Sequence, residues 1–236
     1  EWNMWSIQIA QSAFDSCAGM TSVTFVGTLG SIEATAFAYC SNLEKVEFNS
    51  MSFWNGAASI PLYAFNGCNA LRLLQFNSYT PPELELALTG YDFRFNPSWT
   101  EEEELQNLHI SVPEGSEGEF IKKWRYPFLG YLDMLDKSAY QYMWDDVQMK
   151  LLYETMRYPS DEEVDAVMYD RLLTSENRMR TYFGIENAAE PTEYFPYRVN
   201  EGAGTITLIG SPSNLKNIFV SGDNMGLPSG WSFDYI

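Results

Sequence analysis

Histidine is all but missing from this sequence: His109 is the only one. With one histidine and no Cys-x-x-Cys spacing, the usual zinc patterns are removed and only carboxylate sites for Ca2+ or Mg2+ stay open. A serine or cysteine nucleophile would also have a single candidate base. Cationic side chains are scarce, with 14 Lys+Arg against 32 Asp+Glu and a formal net charge of -18. Such a field repels phosphate backbones and anionic lipid, so nucleic acid is not expected as a partner. Long apolar runs are lacking as well. A membrane-spanning helix needs about 20 consecutive apolar residues, and the longest stretches here are strand-sized, so no transmembrane segment is expected within the chain. Gly-rich phosphate loops, a Gly-x-Ser-x-Gly elbow and a His-Glu-x-x-His helix are all absent. The chain therefore carries no common signature of nucleotide, esterase or protease chemistry, and neither catalysis nor a cofactor is expected.

Of the features present, a hydrophobic content of 45% with 16% aromatics is enough for a substantial core. The chain opens at Glu1 and runs at once into Trp2, Met4, Trp5, Ile7 and Ile9, as expected of a processed or trimmed start. The strongest signal is internal repetition. Residues 9–25, 32–48 and 60–76 all fit Ile-x-x-x-Ala-Phe-x-x-Cys-x-x-(Leu/Met)-x-x-(Val/Leu)-x-Phe without a gap. The columns are Ile9/Ile32/Ile60, Ala13/Ala36/Ala64, Phe14/Phe37/Phe65, Cys17/Cys40/Cys68, Met20/Leu43/Leu71, Val23/Val46/Leu74 and Phe25/Phe48/Phe76. The first step is 23 residues and the second 28, the extra residues lying around Asn55 and Gly56. A degraded fourth unit follows, in which Leu105, Leu108 and Ile110 repeat the strand ending and Trp99 stands where Phe65 does; its step is 34. Ser98 and Glu102 replace its Ala and Cys, as at the start of a cap. A fainter echo is Leu215-x-x-Ile218-x-Val220.

In each unit the Val and Phe, two apart, point to one face of a strand, and the intervening residues point to the other. One coil cannot bury that face alone; stacked coils can. The three cysteines share one column, which gives them a common role as small buried hydrophobes, unpaired and unligated, since in-register side chains lie parallel and do not face one another.

These units resemble the BspA-like leucine-rich repeats of bacterial surface proteins, which read Ile-Gly-x-x-Ala-Phe-x-x-Cys-x-x-Leu-x-x-Ile-x-Ile-Pro. The resemblance covers residues 9–76 strongly and extends to about 130, where Val112-Pro113-Glu114-Gly115, Phe120 and Trp124 look like the closing segment of such arrays. Glu33 and Pro61 depart from it where the family prefers Gly, and the strands end in Phe. The resemblance implies an extracellular or cell-surface protein of the adhesion kind without catalytic machinery.

Beyond the repeats, Tyr142, Met143, Val147, Leu151, Tyr153 and Met156 recur at helical spacing from Ala139 to about Tyr158. Ser160-Asp161-Glu162-Glu163 is a capping box, opening a second helix whose stripe is Val164, Val167, Met168, Leu172 and Met179 up to Gly184. Short β-type runs follow at residues 197–199, 205–209 and 218–220. The expected fold class is α+β: a short leucine-rich-repeat solenoid with a parallel strand ladder over residues 1–135, then a helical hairpin and small β segment over 136–236, acting as a C-terminal cap or small second domain.

The acidic runs read as helix surface. Thr100 before Glu101 to Glu104 opens a helical turn, and Asp145-Asp146 and Asp161 to Glu163 lie on solvated faces. Asp223 lacks the spaced oxygen ligands of an EF-hand loop, and no motif places a glycosidase carboxylate pair. The candidate binding surface is the outward side of the strand ladder, with columns Ser22, Lys45, Leu73, Asn107 and Thr24, Glu47, Gln75, His109. Lys45, Glu47, Leu73, Gln75, Asn107 and His109 form its core, suited to an unknown protein ligand. The alternatives are a carbohydrate-binding module, given 15 Tyr and 7 Trp, and a structural spacer in a larger surface assembly.

Overall fold

The computed structural model describes residues 7–51, 58–86, 91–134, 137–194, 197–200, 205–208 and 232–233. The architecture is α+β, a curled parallel sheet in the N-terminal half followed by four helices. Its first strands are β1 (Ile7–Ile9), β2 (Ser22–Ile32), β3 (Lys45–Met51), β4 (Ser59–Pro61), β5 (Leu73–Phe76), β6 (Glu83–Glu85) and β7 (His109–Ser111). They form one sheet in the order β6-β4-β2-β3-β5-β7, with β1 also on β2, and every pairing is parallel.

The sheet is two ladders joined through β2. The expected one aligns Val23, Val46 and Leu74, then Phe25, Phe48 and Phe76. The second runs through the Ile column, pairing Ile9 with Ile32 and Ile60 with Leu84. Leu84 thus fills the column's fourth place, which the degraded unit conceals. β2 passes from one ladder to the other at a bulge between Phe25 and Thr28, where Val26 is thrown out to solvent.

Between ladders each coil makes a tight turn. Phe14 and Ser16 donate their backbone N–H to the carbonyls of Ala36 and Ala38 (both 2.8 Å), as Phe37 and Tyr39 do to Ala64 (3.0 Å) and Asn66 (2.7 Å). This requires a left-handed residue before each cysteine: Ser16 (φ 59°), Tyr39 (57°) and Gly67 (77°). A Cβ on Gly67 would come within 2.6 Å of the Tyr39 ring, so the third coil needs glycine. No repeat coil follows Gly67, and the Asn96 side chain takes the carbonyl's place, its Oδ1 accepting from Gly67 N–H at 2.9 Å and its amide donating to Cys68 O at 3.1 Å.

The core is a pair of aromatic stacks. Phe37 lies between Phe14 and Phe65 at centroid distances of 5.2 and 5.7 Å, and Phe48 lies between Phe25 and Phe76 at 5.5 and 4.8 Å. Phe76 ends its stack against Phe120 and Trp124, carried by α2 (Glu117–Trp124), and the buried Trp124 indole donates to Pro82 O at 2.9 Å. The fourth unit departs from its expected alignment. Leu74 pairs with Ile110 and Leu73 with His109, two residues off the register that Leu108 suggests. The reason is α1 (Glu101–Asn107), which replaces the coil turn, opens on a Thr100–Glu103 capping box and ends at Asn107, just short of the strand. Phe93 and Phe95, both buried, pack against Phe128 at centroid distances of 5.7 and 6.1 Å.

Residues 1–130 and 175–187 form one compact unit; residues 131–174 and 188–236 form the other. The second holds α3 (Ala139–Thr155) and the first part of α4 (Asp161–Phe183). It also holds a small sheet of β8 (Tyr197–Asn200), β9 (Thr205–Leu208) and β10 (Ser232–Phe233) in the order β10-β9-β8. The stripe expected on α3 is rotated. Tyr140, Met143, Trp144 and Val147 are buried, following i, i+3, i+4, i+7, whereas Tyr153 and Met156 are exposed. Met156 turns left-handed and stops the helix. On α4 the expected Val164, Met168, Leu172 and Met179 are all fully buried, while Val167, also expected in the stripe, is half-buried. The echo at 215–220 and Asp223 lie outside the described residues.

Candidate functional site

The outward side of the Val-x-Phe ladder is built by alternation: burying Val46 and Phe48 turns Lys45 and Glu47 out, and burying Leu74 and Phe76 turns Leu73 and Gln75 out. Parallel register then sets Ser22, Lys45, Leu73 and His109 in one row and Thr24, Glu47, Gln75 and Ser111 in the next. His109 therefore stands beside Leu73, not in line with Gln75 as expected. Asn107 is not on this face; it closes α1 with its amide bonded to Glu103 O at 2.7 Å.

The polar groups at the middle of this face satisfy one another. Lys45 Nζ lies 2.9 Å from Glu47 Oε2, Asn77 Nδ2 donates to Glu47 Oε1 (3.1 Å) and Asn49 Oδ1 (2.7 Å), and Gln75 donates to Asn77 Oδ1 (3.0 Å). The Lys45 hydrogen bond, then that of Asn77, holds Glu47 below the usual carboxylate range. The result is a flat polar surface with the half-buried Leu73 as its apolar element.

The cysteine column does more than pack. Cys17, Cys40 and Cys68 are free, and the latter two donate their thiols to the carbonyls of Phe14 and Phe37, each at 3.0 Å, so each bond ties a coil to the one before it. Burial raises both thiols, that of Cys68 to about 12. They are protonated at neutral pH and can donate, but they are poor nucleophiles. Cys17 is only half-buried, contrary to the expectation for the whole column; among the described residues no earlier coil lies over it.

A second polar cluster corrects the reading of the acidic run as helix surface, because its last member, Glu104, is buried. Glu104, fully buried within the acidic run, accepts from Asn96 N (2.9 Å), Phe95 N (3.4 Å) and Tyr182 Oη (2.7 Å), and lies 3.6 Å from Arg178. Arg178 itself sits 4.8 Å above the Phe128 ring. Burial raises the Glu104 carboxyl despite these donors, and raises the Tyr182 phenol as well. The cluster is enclosed and fully bonded, so it is suited to fixing the fold and not to binding. Among the described residues no group of three or more His, Cys, Asp or Glu side chains is placed to hold a metal ion.

Compared with known families, residues 6–81 match the BspA type leucine-rich repeat region, in 6 copies. No curated protein and no solved structure matches the chain.

Proposed function

With residues 6–81 a BspA-type leucine-rich repeat region, we propose that this protein is a non-catalytic scaffold that binds another protein at the cell surface or outside the cell. Leucine-rich repeats of this type are typically non-catalytic binding modules, and the proteins that carry them are typically surface proteins. No helix among the described residues is long and apolar enough to cross a membrane. The observation that carries the reading is the in-register stack of outward rows on the Val-x-Phe ladder, a rigid surface shaped for extended contact. Lys45, Glu47, Leu73, Gln75 and His109 form the proposed contact, with Asn107 at its border. Its mixed polar character around one apolar residue fits a modest protein interface. In the same proposal, residues 136–236 serve as a cap or small second domain and carry no catalytic role.

A partner recovered by pulldown provides the test. Leu73→Glu with Gln75→Lys should abolish its binding and leave the thermal midpoint nearly unchanged, because neither side chain belongs to the core. Undiminished binding would move recognition off this face. A carbohydrate-binding reading has one observation in its favour: Tyr39, Tyr63, Tyr79 and Tyr91 are 41 to 69% exposed, and exposed aromatic rings stack on sugars. A glycan array separates the two.

A further inference from the structure

The second ladder presents a different surface. Pro61 and Glu85 are paired positions on β4 and β6, and Glu33, one residue past the end of β2, takes the place on Pro61's other side. Together with Tyr63 and Leu86 they line an open groove of about 390 Å³. Two strand spacings put the Glu33 and Glu85 backbones roughly 10 Å apart. The flat face carries a bonded network; the groove's polar groups carry far fewer bonds among the described residues. The Glu85 carboxylate and Tyr63 hydroxyl make no hydrogen bond among the described residues, and Glu33 spends only Oε2, on Gln11 N–H at 3.0 Å.

We propose that this groove holds a lysine or arginine side chain of an extended segment in a partner protein. Two exposed carboxylates flank an apolar floor of Pro61 and Leu86, with a 41%-exposed tyrosine beside it. A methylene stem lies on such a floor while its charged head reaches the carboxylates, and a tyrosine ring adds a cation–π partner. A metal ion fits poorly, since no third ligand joins the two carboxylates. A neutral sugar would leave both carboxylates unpaired. The groove lies off the face proposed above and does not depend on it.

The probe is a fluorescein-labelled Ser-Lys-Ser-Lys-Ser-Lys peptide, titrated by fluorescence anisotropy at a salt concentration where the Debye length is about 8 Å. Because the chain is strongly acidic, the comparison is between two variants of equal charge. Glu33→Gln with Glu85→Gln should weaken binding roughly tenfold or more, and Glu102→Gln with Glu114→Gln, outside the groove, less than about twofold. Amide shifts at Ser59, Leu62 and Tyr63 in the unaltered protein should move on titration, a readout that does not rely on any variant folding. Leu73→Glu with Gln75→Lys should leave this binding intact. Equal loss in both charge-matched pairs, absence of saturable binding, or shifts confined to other residues would overturn the proposal. So would chitohexaose occupying the groove with an affinity that ignores the glutamate substitutions.

Discussion

At the scale of single residues, the aromatic columns decide how firmly the coils are held. Phe37 has no exposed surface and a ring on either side, whereas Phe14, in the same column one coil earlier, is 36% exposed and has one. Truncating a buried aromatic costs its transfer energy and leaves a cavity, about 3–5 kcal/mol; truncating a half-wetted one costs about 1–2 kcal/mol. Phe37→Ala should therefore destabilise by the larger amount and Phe14→Ala by the smaller, measured by urea denaturation. Equal costs would mean the first coil is covered as well as the second. The repeat spacing made these positions legible because burial and stacking act on every coil alike. The same spacing identified the cysteines as a column but not what holds them there. A thiol donating to a carbonyl one coil back depends on backbone placement, which side-chain pattern does not record. Gly67 is a similar case: Ser16 and Tyr39 hold the same left-handed position, and only the Tyr39 ring above it makes glycine necessary.

At the scale of elements, legibility followed local chemistry and failed where a long-range partner intervened. The start of α4 was readable because its capping box is local: Ser160 N–H donates to Glu163 Oε2 at 2.9 Å, and Glu163 N–H to Ser160 Oγ at 3.3 Å. Arg157, on the turn after α3, adds a second donor at 2.8 Å. Register in the fourth unit was not readable, because α1 replaces a coil turn and shifts Ile110 by two residues. That slip keeps the alternation but moves His109 beside Leu73 and takes Asn107 off the face. The second ladder was hidden for a related reason: Ile9, Ile60 and Leu84 sit in strands of 3 residues, too short to show alternation, and Ile32 ends β2 beyond the bulge that breaks its alternation. The cap of α4 also makes a pH prediction. Arg157 first, then the Ser160 N–H, hold the Glu163 carboxyl down at about 2, below its ordinary 4.5. A depressed carboxyl contributes stability that is fully present above pH 4.5 and is lost as pH falls toward 2. Carbon-detected NMR titration should find Glu163 still ionised at pH 3, and Arg157→Gln should return it toward the ordinary range. A midpoint near 4.5 in the unaltered protein would show that the pair does not form in solution.

At the scale of the whole molecule, sequence order and compact unit diverge. Residues 175–187 belong to the same unit as residues 1–130, and Met179, Tyr182 and Phe183 join the hydrophobic cluster that contains Phe120, Trp124 and Phe128. In a linear reading α4 is one helix with one stripe, so nothing in its periodicity tells Leu172 from Met179. The separation shows only in polar partners that return over long intervals: Arg125 meets Glu176 at 3.1 Å, and Glu104 meets Tyr182 at 2.7 Å. A chain ending at residue 135 would lose both partners' elements. Glu104 would keep two backbone donors but neither Tyr182 nor Arg178, and stranding a buried charge in this way costs about 3–5 kcal/mol. The apolar cover over Phe120 and Trp124 would go with it. A fragment of residues 1–135 should therefore melt well below the full chain or without a cooperative transition, as followed by circular dichroism, even though it contains the whole leucine-rich repeat region of residues 6–81. Glu104→Gln in that fragment should recover part of the loss, since an uncharged amide is less costly to leave unpaired than a carboxylate. If the fragment instead melts with the full chain, residues 175–187 do not support the repeat unit, and the Glu104 cluster contributes nothing to its stability.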